Sequence, residues 1–175
     1  MEDVTKAWDY LMHLGYGARD IVVAGDSAGG NLALVLTMLL RDAGRLLPRR
    51  LVLMSPWTDM TASGKSYRER RDADPMITMN YIQAVRAAYA PGRELSSPML
   101  SPLFGDFDRF PPVLIQVGTN EILMSDSVRL RDRLVQAGIP CRLEVWPDMW
   151  HVFQMFPMKK ASQAMDSVGR FLLET

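Results

Sequence analysis

Hydrophobic and polar residues alternate along the chain in blocks that predict strands and helices in turn. Three short apolar runs have the length of buried strands, and a fourth alternates polar with apolar residues, as expected near a sheet edge. These strands lie at residues 21–24, 51–56, 113–118 and 142–146. Apolar residues at helical spacing predict helices over residues 3–14, 32–40, 76–90, 126–136 and 160–173. The alternation predicts an α/β fold with a mostly parallel sheet of about four strands flanked by helices.

The pattern loosens over residues 57–97. The charged run at residues 68–71 is more typical of a solvated face than of a binding site. The helix at residues 76–90 has apolar residues on two sides, so we expect it to contact protein on both. We interpret residues 57–97 as a helical, cap-like insertion that covers the domain and helps to line a pocket, with an ordinary core helix as an equal alternative. Beyond it, Ser125 is expected to cap the helix that begins near residue 126.

The composition is that of one ordinary globular domain. The formal net charge of the 175 residues is zero, whereas nucleic-acid-binding proteins normally carry a basic surplus, so we expect no nucleic-acid partner. The single cysteine, Cys141, cannot form an internal disulfide and is expected to be a buried, inert thiol. With one cysteine and two histidines no usual zinc site can be assembled, so no metal or cofactor is expected. The chain contains neither a long apolar stretch nor a signal-peptide core, which predicts a cytoplasmic protein without a membrane span.

The first predicted strand leads into a helix through a glycine-flanked serine, in the sequence Gly25-Asp26-Ser27-Ala28-Gly29. A turn this tight strains the serine backbone and requires small residues two positions before and after it, which the two glycines provide. It exposes the serine hydroxyl beside the first free N–H groups of the helix, where negative charge is stabilised. Ser27 is therefore the candidate nucleophile, with a plain glycine-rich turn as the alternative.

A serine hydroxyl needs a neighbouring base, and histidine is the side chain best suited to that exchange near neutral pH. Functional residues of parallel sheets lie at the carboxyl ends of the strands. His13 is on the first helix, at the other end of the predicted sheet, whereas His151 follows the last strand and is the candidate base. A carboxylate must orient this histidine. Glu121 is favoured over Asp126, because the helix dipole already explains an acidic residue in a first helical turn.

Four motifs along the chain point to one family. They are Gly25-Asp26-Ser27-Ala28-Gly29-Gly30-Asn31, Ser55-Pro56-Trp57-Thr58-Asp59, Gln116-Val117-Gly118-Thr119-Asn120-Glu121-Ile122-Leu123 and Trp150-His151. Together they resemble the hormone-sensitive-lipase-like esterases of the α/β-hydrolase fold, over essentially the whole chain. In that family the acid is often the aspartate of an Asp-Pro-Leu triplet, and some branches use glutamate. Since this chain has Asn120-Glu121-Ile122 at that place, the resemblance assigns the role to Glu121.

The chain also departs from the family. Family members resemble this chain plus a longer upstream region that includes further strands and a His-Gly-Gly-Gly loop, which donates oxyanion N–H groups. Nothing here matches that loop, which leaves the N–H of Ala28 as the expected donor. Losing one such donor costs ~2.7–4 kcal/mol of transition-state stabilisation, so weak catalysis is expected. We interpret residues 1–175 as a single, truncated catalytic domain. Its first strand would be a bare edge, which favours poor solubility or homo-oligomers.

These observations predict a carboxylic ester hydrolase. Ser27 attacks the ester carbonyl, His151 transfers the proton, Glu121 orients His151, and the N–H of Ala28 helps to hold the oxyanion. We expect Asp26 and Trp57 to contact the substrate, with packing as an equal alternative for the tryptophan. The resemblance implies small acyl esters as substrates. The alternative is a catalytically inactive remnant of a hydrolase that acts as a binding or interaction module.

Overall fold

Four parallel strands form a single sheet in the computed structural model, which describes residues 1–174. In chain order they are β1 (Val22–Asp26), β2 (Arg50–Met54), β3 (Val113–Gly118) and β4 (Cys141–Trp146). Their order across the sheet is the same as their order along the chain, and every pair is parallel. The predicted α/β fold with a four-stranded sheet is therefore confirmed, and all carboxyl ends of the strands lie at one edge of the sheet.

Helices connect the strands. They are α1 (Glu2–His13), α2 (Ala28–Asp42), α3 (Ser66–Glu69), α4 (Met79–Tyr89), α5 (Met124–Gln136) and α6 (Lys159–Leu173), with short 3-10 turns at Ala18–Asp20, Pro102–Phe104 and Phe153–Met155. The five longer helices occur where the apolar spacing predicts them. Among residues 1–174, no helix combines the length and the apolar character needed to cross a membrane.

The expected cap of α5 is wrong, because this helix begins earlier than the pattern indicated. Its first residue is Met124, so Ser125 lies inside the helix rather than before it. The Ser125 hydroxyl instead accepts a hydrogen bond from the backbone N–H of Ser66 (2.9 Å), and the Ser66 hydroxyl accepts one from the N–H of Ser125 (2.8 Å). These reciprocal bonds attach the start of α3 to the start of α5.

Both faces of the two central strands are buried, as parallel crossovers require. On one face, Leu53 and Ile115 pack with Leu34 of α2 and Leu130 of α5. On the other face, the alternate residues of the same strands pack against α6 in a cluster of Val52, Leu114, Val168 and Phe171. The two outer strands are less covered. Ala24 and Asp26 of β1 are exposed, and β4 alternates between half-buried and exposed residues, as predicted for an edge.

Residues 57–97 pack on the loop that follows β3. The shared apolar cluster consists of Trp57, Met60, Tyr67, Ile77, Ile82, Ala90, Leu100, Ile122 and Leu123. Within α4 only one side takes part, through Ile82 and the half-buried Val85. On the other predicted apolar side, Tyr81, Ala84 and Ala88 are exposed, whereas Ile77, which precedes α4, is buried in the cluster. The expectation of two packed sides therefore differs from what we find.

The turn between β1 and α2 requires a residue without a side chain at position 25. A Cβ atom on Gly25 would lie 2.3 Å from the carbonyl carbon and oxygen of Gly29, far inside van der Waals contact. A Cβ atom on Gly29 would meet only a carboxylate oxygen of Asp26, at 3.9 Å. The two glycines of the predicted motif thus have different roles. The first must lack a side chain, while the second supplies the backbone that approaches it.

We predict that Gly25→Ala destabilises the protein far more than Gly29→Ala. The first change forces backbone to move and should cost at least about 1–3 kcal/mol, as overpacking does. The second adds a methyl group at ordinary contact distance in a helix and should be close to neutral. Urea denaturation followed by circular dichroism would measure both. Equal midpoints for the two variants would contradict this account of the turn.

Candidate active site

Ser27 occupies a strained position at the carboxyl end of β1. Its backbone dihedral angles are φ 50° and ψ −118°, a conformation that L-residues rarely adopt. Backbone hydrogen bonds hold this residue: its N–H donates to the carbonyl of Met54 (2.9 Å), and its carbonyl accepts from the N–H groups of Gly30 (3.1 Å), Asn31 (3.4 Å) and Trp57 (3.0 Å). The backbone strain therefore persists because neighbouring segments fix both sides of the peptide.

The helix that follows Ser27 presents free N–H groups at the turn. Ala28 is the first residue of α2, and the first N–H groups of a helix have no acceptor within it. Together with the helix dipole, these groups favour negative charge next to the serine. The N–H of Ala28 is thus free at the turn, next to the serine.

Glu121 lies completely buried just beyond β3. One carboxylate oxygen, Oε1, accepts hydrogen bonds from the N–H of Gly118 (2.6 Å) and from the hydroxyl of Ser55 (2.9 Å). The other oxygen, Oε2, lies 3.2 Å from Nδ1 of His151. Because an ionised carboxylate can only accept, this contact favours the histidine tautomer with its proton on Nδ1. Nε2 of the ring is then available as a base.

His151 is buried in the loop after β4. The loop crosses β3 at Gly118, where a Cβ atom would lie 2.2 Å from the carbonyl oxygen of Met149. Two hydrogen bonds fix the loop on either side of the histidine: the N–H of Asn120 donates to the carbonyl of Met149 (2.8 Å), and the N–H of Val152 donates to the hydroxyl of Ser55 (3.1 Å). A glycine at the end of β3 therefore allows the loop to bring His151 over Glu121.

The structure brings Glu121 and His151 into direct contact and places Ser27 at the same edge of the sheet. Ser27 follows β1, Glu121 follows β3, and the end of β2 lies between them. Within residues 1–174 the Ser27 hydroxyl makes no hydrogen bond to His151, a contact that often forms only in the substrate complex. The other histidine, His13, is exposed on α1.

Asp126, the rival acid, faces a different segment. It is fully buried, and its Oδ2 accepts hydrogen bonds from the N–H groups of Thr58 and Asp59 (2.9 Å each) and from the Tyr67 hydroxyl (3.2 Å). Its Oδ1 has no hydrogen-bond partner in the described part of the chain. Asp126 therefore fixes the segment after β2, and the geometry favours Glu121 as the partner of His151.

The two buried aspartates of this region have opposite pKa shifts. Burial, followed by the nearby charge of Asp59, raises the pKa of Asp126 to about 8. Burial also raises the pKa of Asp59, but hydrogen bonds from Ser63, Thr61 and Arg129 outweigh this effect and bring it below its ordinary value. Arg129 forms an ion pair with Asp59 at 2.7 Å. At neutral pH, Asp59 is thus ionised and Asp126 is protonated.

The two expected substrate contacts have contrasting surroundings. Asp26 is exposed at the end of β1, next to the serine. Trp57 is only 4% exposed, its ring packs in the apolar cluster of residues 57–97, and its Nε1–H donates to the carbonyl of Asp59 (3.2 Å). The environment of Trp57 therefore corresponds to packing, which is the alternative role that we considered for this residue.

Ser55 is the site residue that sequence reasoning did not single out. It is completely buried, with φ 48°, and it contacts both Glu121 and the backbone beside His151. Its place near the end of a predicted buried strand, as the first residue of the Ser55-Pro56-Trp57-Thr58-Asp59 motif, was the available signal. Serine is common after strands, so its type alone gives no warning of this role.

Comparison with known proteins defines the class to which this chain belongs. The α/β-hydrolase fold family matches residues 1–155. The chain therefore belongs to the α/β-hydrolase fold family. A solved esterase from the bacterial hormone-sensitive lipase family is 38% identical, with a TM-score of 0.95 over 98% of this chain. A hormone-sensitive lipase from a metagenome library is 32% identical, with a TM-score of 0.94 over 98% of this chain. The resemblance found in the sequence motifs is thus confirmed.

Curated relatives carry related names. A protein of Acinetobacter venetianus named "Esterase" is 34% identical over 98% of this chain, and a Streptomyces hygroscopicus protein named "Acetyl-hydrolase" is also 34% identical over 98% of it. The chain spans 57% and 58% of the lengths of these two relatives, and 58% and 60% of the two solved structures.

We predict that the free energy of unfolding decreases with rising pH because of Asp126. Its folded-state pKa of about 8 lies above its ordinary value of 3.8, so between these values the folded protein holds a proton that the unfolded chain releases. The stability that this group contributes is complete below 3.8 and is lost as the pH rises through 8. The slope should reach at most about 1.4 kcal/mol per pH unit.

Urea denaturation across this pH window would test the prediction. Asp126→Asn keeps a carbonyl acceptor for Thr58 and Asp59 but cannot ionise, so it should flatten the decrease. Asp132→Asn, at a residue whose side chain is 61% exposed, is the matched control and should leave the slope unchanged. If Asp126→Asn and wild type show the same slope, another group titrates and the assignment to Asp126 is incorrect.

Proposed function

We propose that this protein hydrolyses carboxylic esters, with Ser27 as nucleophile, His151 as general base and Glu121 as the residue that orients the histidine. The Ser27 oxygen attacks the ester carbonyl while Nε2 of His151 takes the hydroxyl proton. The same proton then passes to the leaving alcohol. Water, activated by His151, attacks the acyl-enzyme and releases the acid together with the free serine.

The observation that supports this proposal best is the buried contact of 3.2 Å between Glu121 and Nδ1 of His151, at the sheet edge where Ser27 ends β1. A carboxylate in this position stabilises the imidazolium that forms when the serine loses its proton. Burial strengthens the effect, since the exposed fraction is 0% for Glu121 and 5% for His151. The strained Ser27 turn and the free N–H groups of α2 support the assignment of the nucleophile.

We assign the N–H of Ala28 as an oxyanion donor and propose that turnover by the 175-residue chain is slow. Ala28 follows the nucleophile at the start of α2, where its N–H is free. Efficient acyl transfer uses more than one such donor, and each contributes ~2.7–4 kcal/mol to transition-state stabilisation. Among the described residues we assign only this one, which is why we expect weak activity.

Small acyl esters are the substrates that we propose. This inference follows the names of the similar proteins, which include "Esterase" and "Acetyl-hydrolase". Residues 57–97 would cover the site and help to line the acyl and alcohol pockets. Asp26, exposed beside Ser27, would face the substrate, whereas Trp57 would shape the pocket by fixing the packed segment beneath it.

Labelling with a fluorophosphonate probe would test the nucleophile and the base. We expect an adduct on Ser27, located by mass spectrometry of the digested protein, that is absent in Ser27→Ala and His151→Ala. His13→Ala removes the other histidine, which is exposed on α1, and should label like wild type. Because the probe accumulates irreversibly, slow catalysis does not hide the result. No labelling of folded wild-type protein would favour the inactive-remnant alternative and overturn the proposal.

A pair of amide substitutions would decide which carboxylate acts on His151. We expect Glu121→Gln to lower the rate of p-nitrophenyl acetate hydrolysis by about 10⁴-fold, as found when the acid of a serine triad becomes an amide. Asp126→Asn should have a much smaller effect, because Asp126 contacts the backbone of residues 58 and 59 instead of the histidine. The reverse order of the two effects would show that Glu121 is not the acid.

A further inference from the structure

We propose that Ser55 is a positioning residue whose single hydroxyl holds both the acid and the histidine loop in their working geometry. This inference rests on the proposed function, because it concerns how Glu121 and His151 are aligned. Ser55 lies at the end of β2, completely buried beneath the site, and has no part in bond making or breaking. Its effect passes through the two groups that it contacts.

The chemistry of these two contacts requires a hydroxyl group. The Glu121 carboxylate can only accept a hydrogen bond, and the N–H of Val152 can only donate one. The Ser55 Oγ lies 2.9 Å from Oε1 of Glu121 and 3.1 Å from the N–H nitrogen of Val152. It therefore donates to the first and accepts from the second. A side chain without both capacities would leave a buried polar group without a partner.

The donation to Oε1 determines which carboxylate oxygen faces the histidine. Oε1 receives two donors, the N–H of Gly118 and the Ser55 hydroxyl, whereas Oε2 is left for Nδ1 of His151. With the first oxygen fixed at two points, rotation of the carboxylate is restricted. Removal of the serine donor would allow the carboxylate to turn, which weakens the preference for the proton on Nδ1.

The second contact joins two strained positions. Ser55 has φ 48° and Val152 has φ 49°, and a β-branched residue at positive φ is a genuine outlier. The Ser55 backbone is itself fixed, since its N–H donates to the carbonyl of Gln116 at 2.7 Å. The hydrogen bond from Val152 thus attaches the strained histidine loop to the central sheet. Such strained positions persist only where their surroundings fix them.

Two substitutions distinguish the effect of the Ser55 hydroxyl from the effect of the strained backbone at this position. Ser55→Ala removes the hydroxyl and keeps the Cβ atom, while Ser55→Gly removes the hydroxyl and also relieves the positive φ. Both should lower kcat by about 10- to 100-fold, as expected for the loss of a hydrogen bond to a charged group. KM should stay unchanged because Ser55 is buried. Full activity in Ser55→Gly would show that only the turn matters and would overturn the proposal.

Ser127→Ala is the matched control. Ser127 is also completely buried, but its hydroxyl has no hydrogen-bond partner in the described part of the chain. This variant therefore removes a buried serine hydroxyl without removing a contact and should retain wild-type kcat. If Ser127→Ala lowers kcat as much as Ser55→Ala does, general destabilisation explains the loss of activity in Ser55→Ala, and the proposal is contradicted.

Nitrogen NMR of the imidazole gives a readout that does not depend on turnover. The chain has two histidines, so His13→Gln leaves His151 as the source of the ring signals. We expect the Nδ1–H tautomer to dominate in that background and a mixture of tautomers after Ser55→Ala or Ser55→Gly. An unchanged tautomer ratio would overturn the proposal. If folded wild type hydrolyses no ester, the proposed function fails, while the tautomer ratio still tests the role of Ser55.

Discussion

The buried carboxylate of Glu121 is the group on which the geometry of the site depends. Leaving an ionised carboxylate without donors in the interior is unfavourable, and here its two oxygens contact three groups: the N–H of Gly118, the hydroxyl of Ser55 and Nδ1 of His151. These partners come from the end of β3, the end of β2 and the loop after β4. The Glu121 carboxylate therefore joins three separate segments at the carboxyl edge of the sheet. Its contact with Nδ1 also helps to fix the position of His151.

Glu121 and Asp126 are both buried carboxylates and lie only five residues apart along the chain, but their surroundings differ. Glu121 receives donors that suit an ionised group, and one of them is a histidine. Asp126 is fully buried and lies close to ionised Asp59, and these two effects outweigh the three donors on its Oδ2, so its pKa is raised and it holds a proton at neutral pH. Its contacts with residues 58 and 59 stabilise the segment whose Trp57 N–H donates to the carbonyl of Ser27. The first carboxylate contacts the histidine directly, and the second supports the backbone segment that contacts Ser27.

The sequence predicted those features of the fold and the site that depend on local residue pattern or on the order of elements along the chain. The four strands are apolar or alternating runs, and Ser27, Glu121 and His151 each follow a strand, so their common edge could be inferred from topology. The role of Ser55 could not, because it arises from contacts with residues far away in sequence, and its place in the Ser55-Pro56-Trp57-Thr58-Asp59 motif does not indicate which groups it contacts. The start of α5 was misplaced for a similar reason. The bonds between Ser125 and Ser66 are tertiary contacts, and they override the usual preference of serine for the position before a helix.

The departure of this chain from the Asp-Pro-Leu pattern of its family has a simple geometric account. At the place of the usual aspartate the chain has Asn120, whose N–H donates to the carbonyl of Met149 at 2.8 Å and so helps to fix the histidine loop. The carboxylate that contacts His151 lies one residue later, at Glu121, and glutamate is longer than aspartate by one methylene group. The longer side chain reaches back to the N–H of Gly118 and also meets the ring of His151. Moving the acid along the backbone and lengthening its side chain offset each other, so that the carboxylate still lies next to the imidazole.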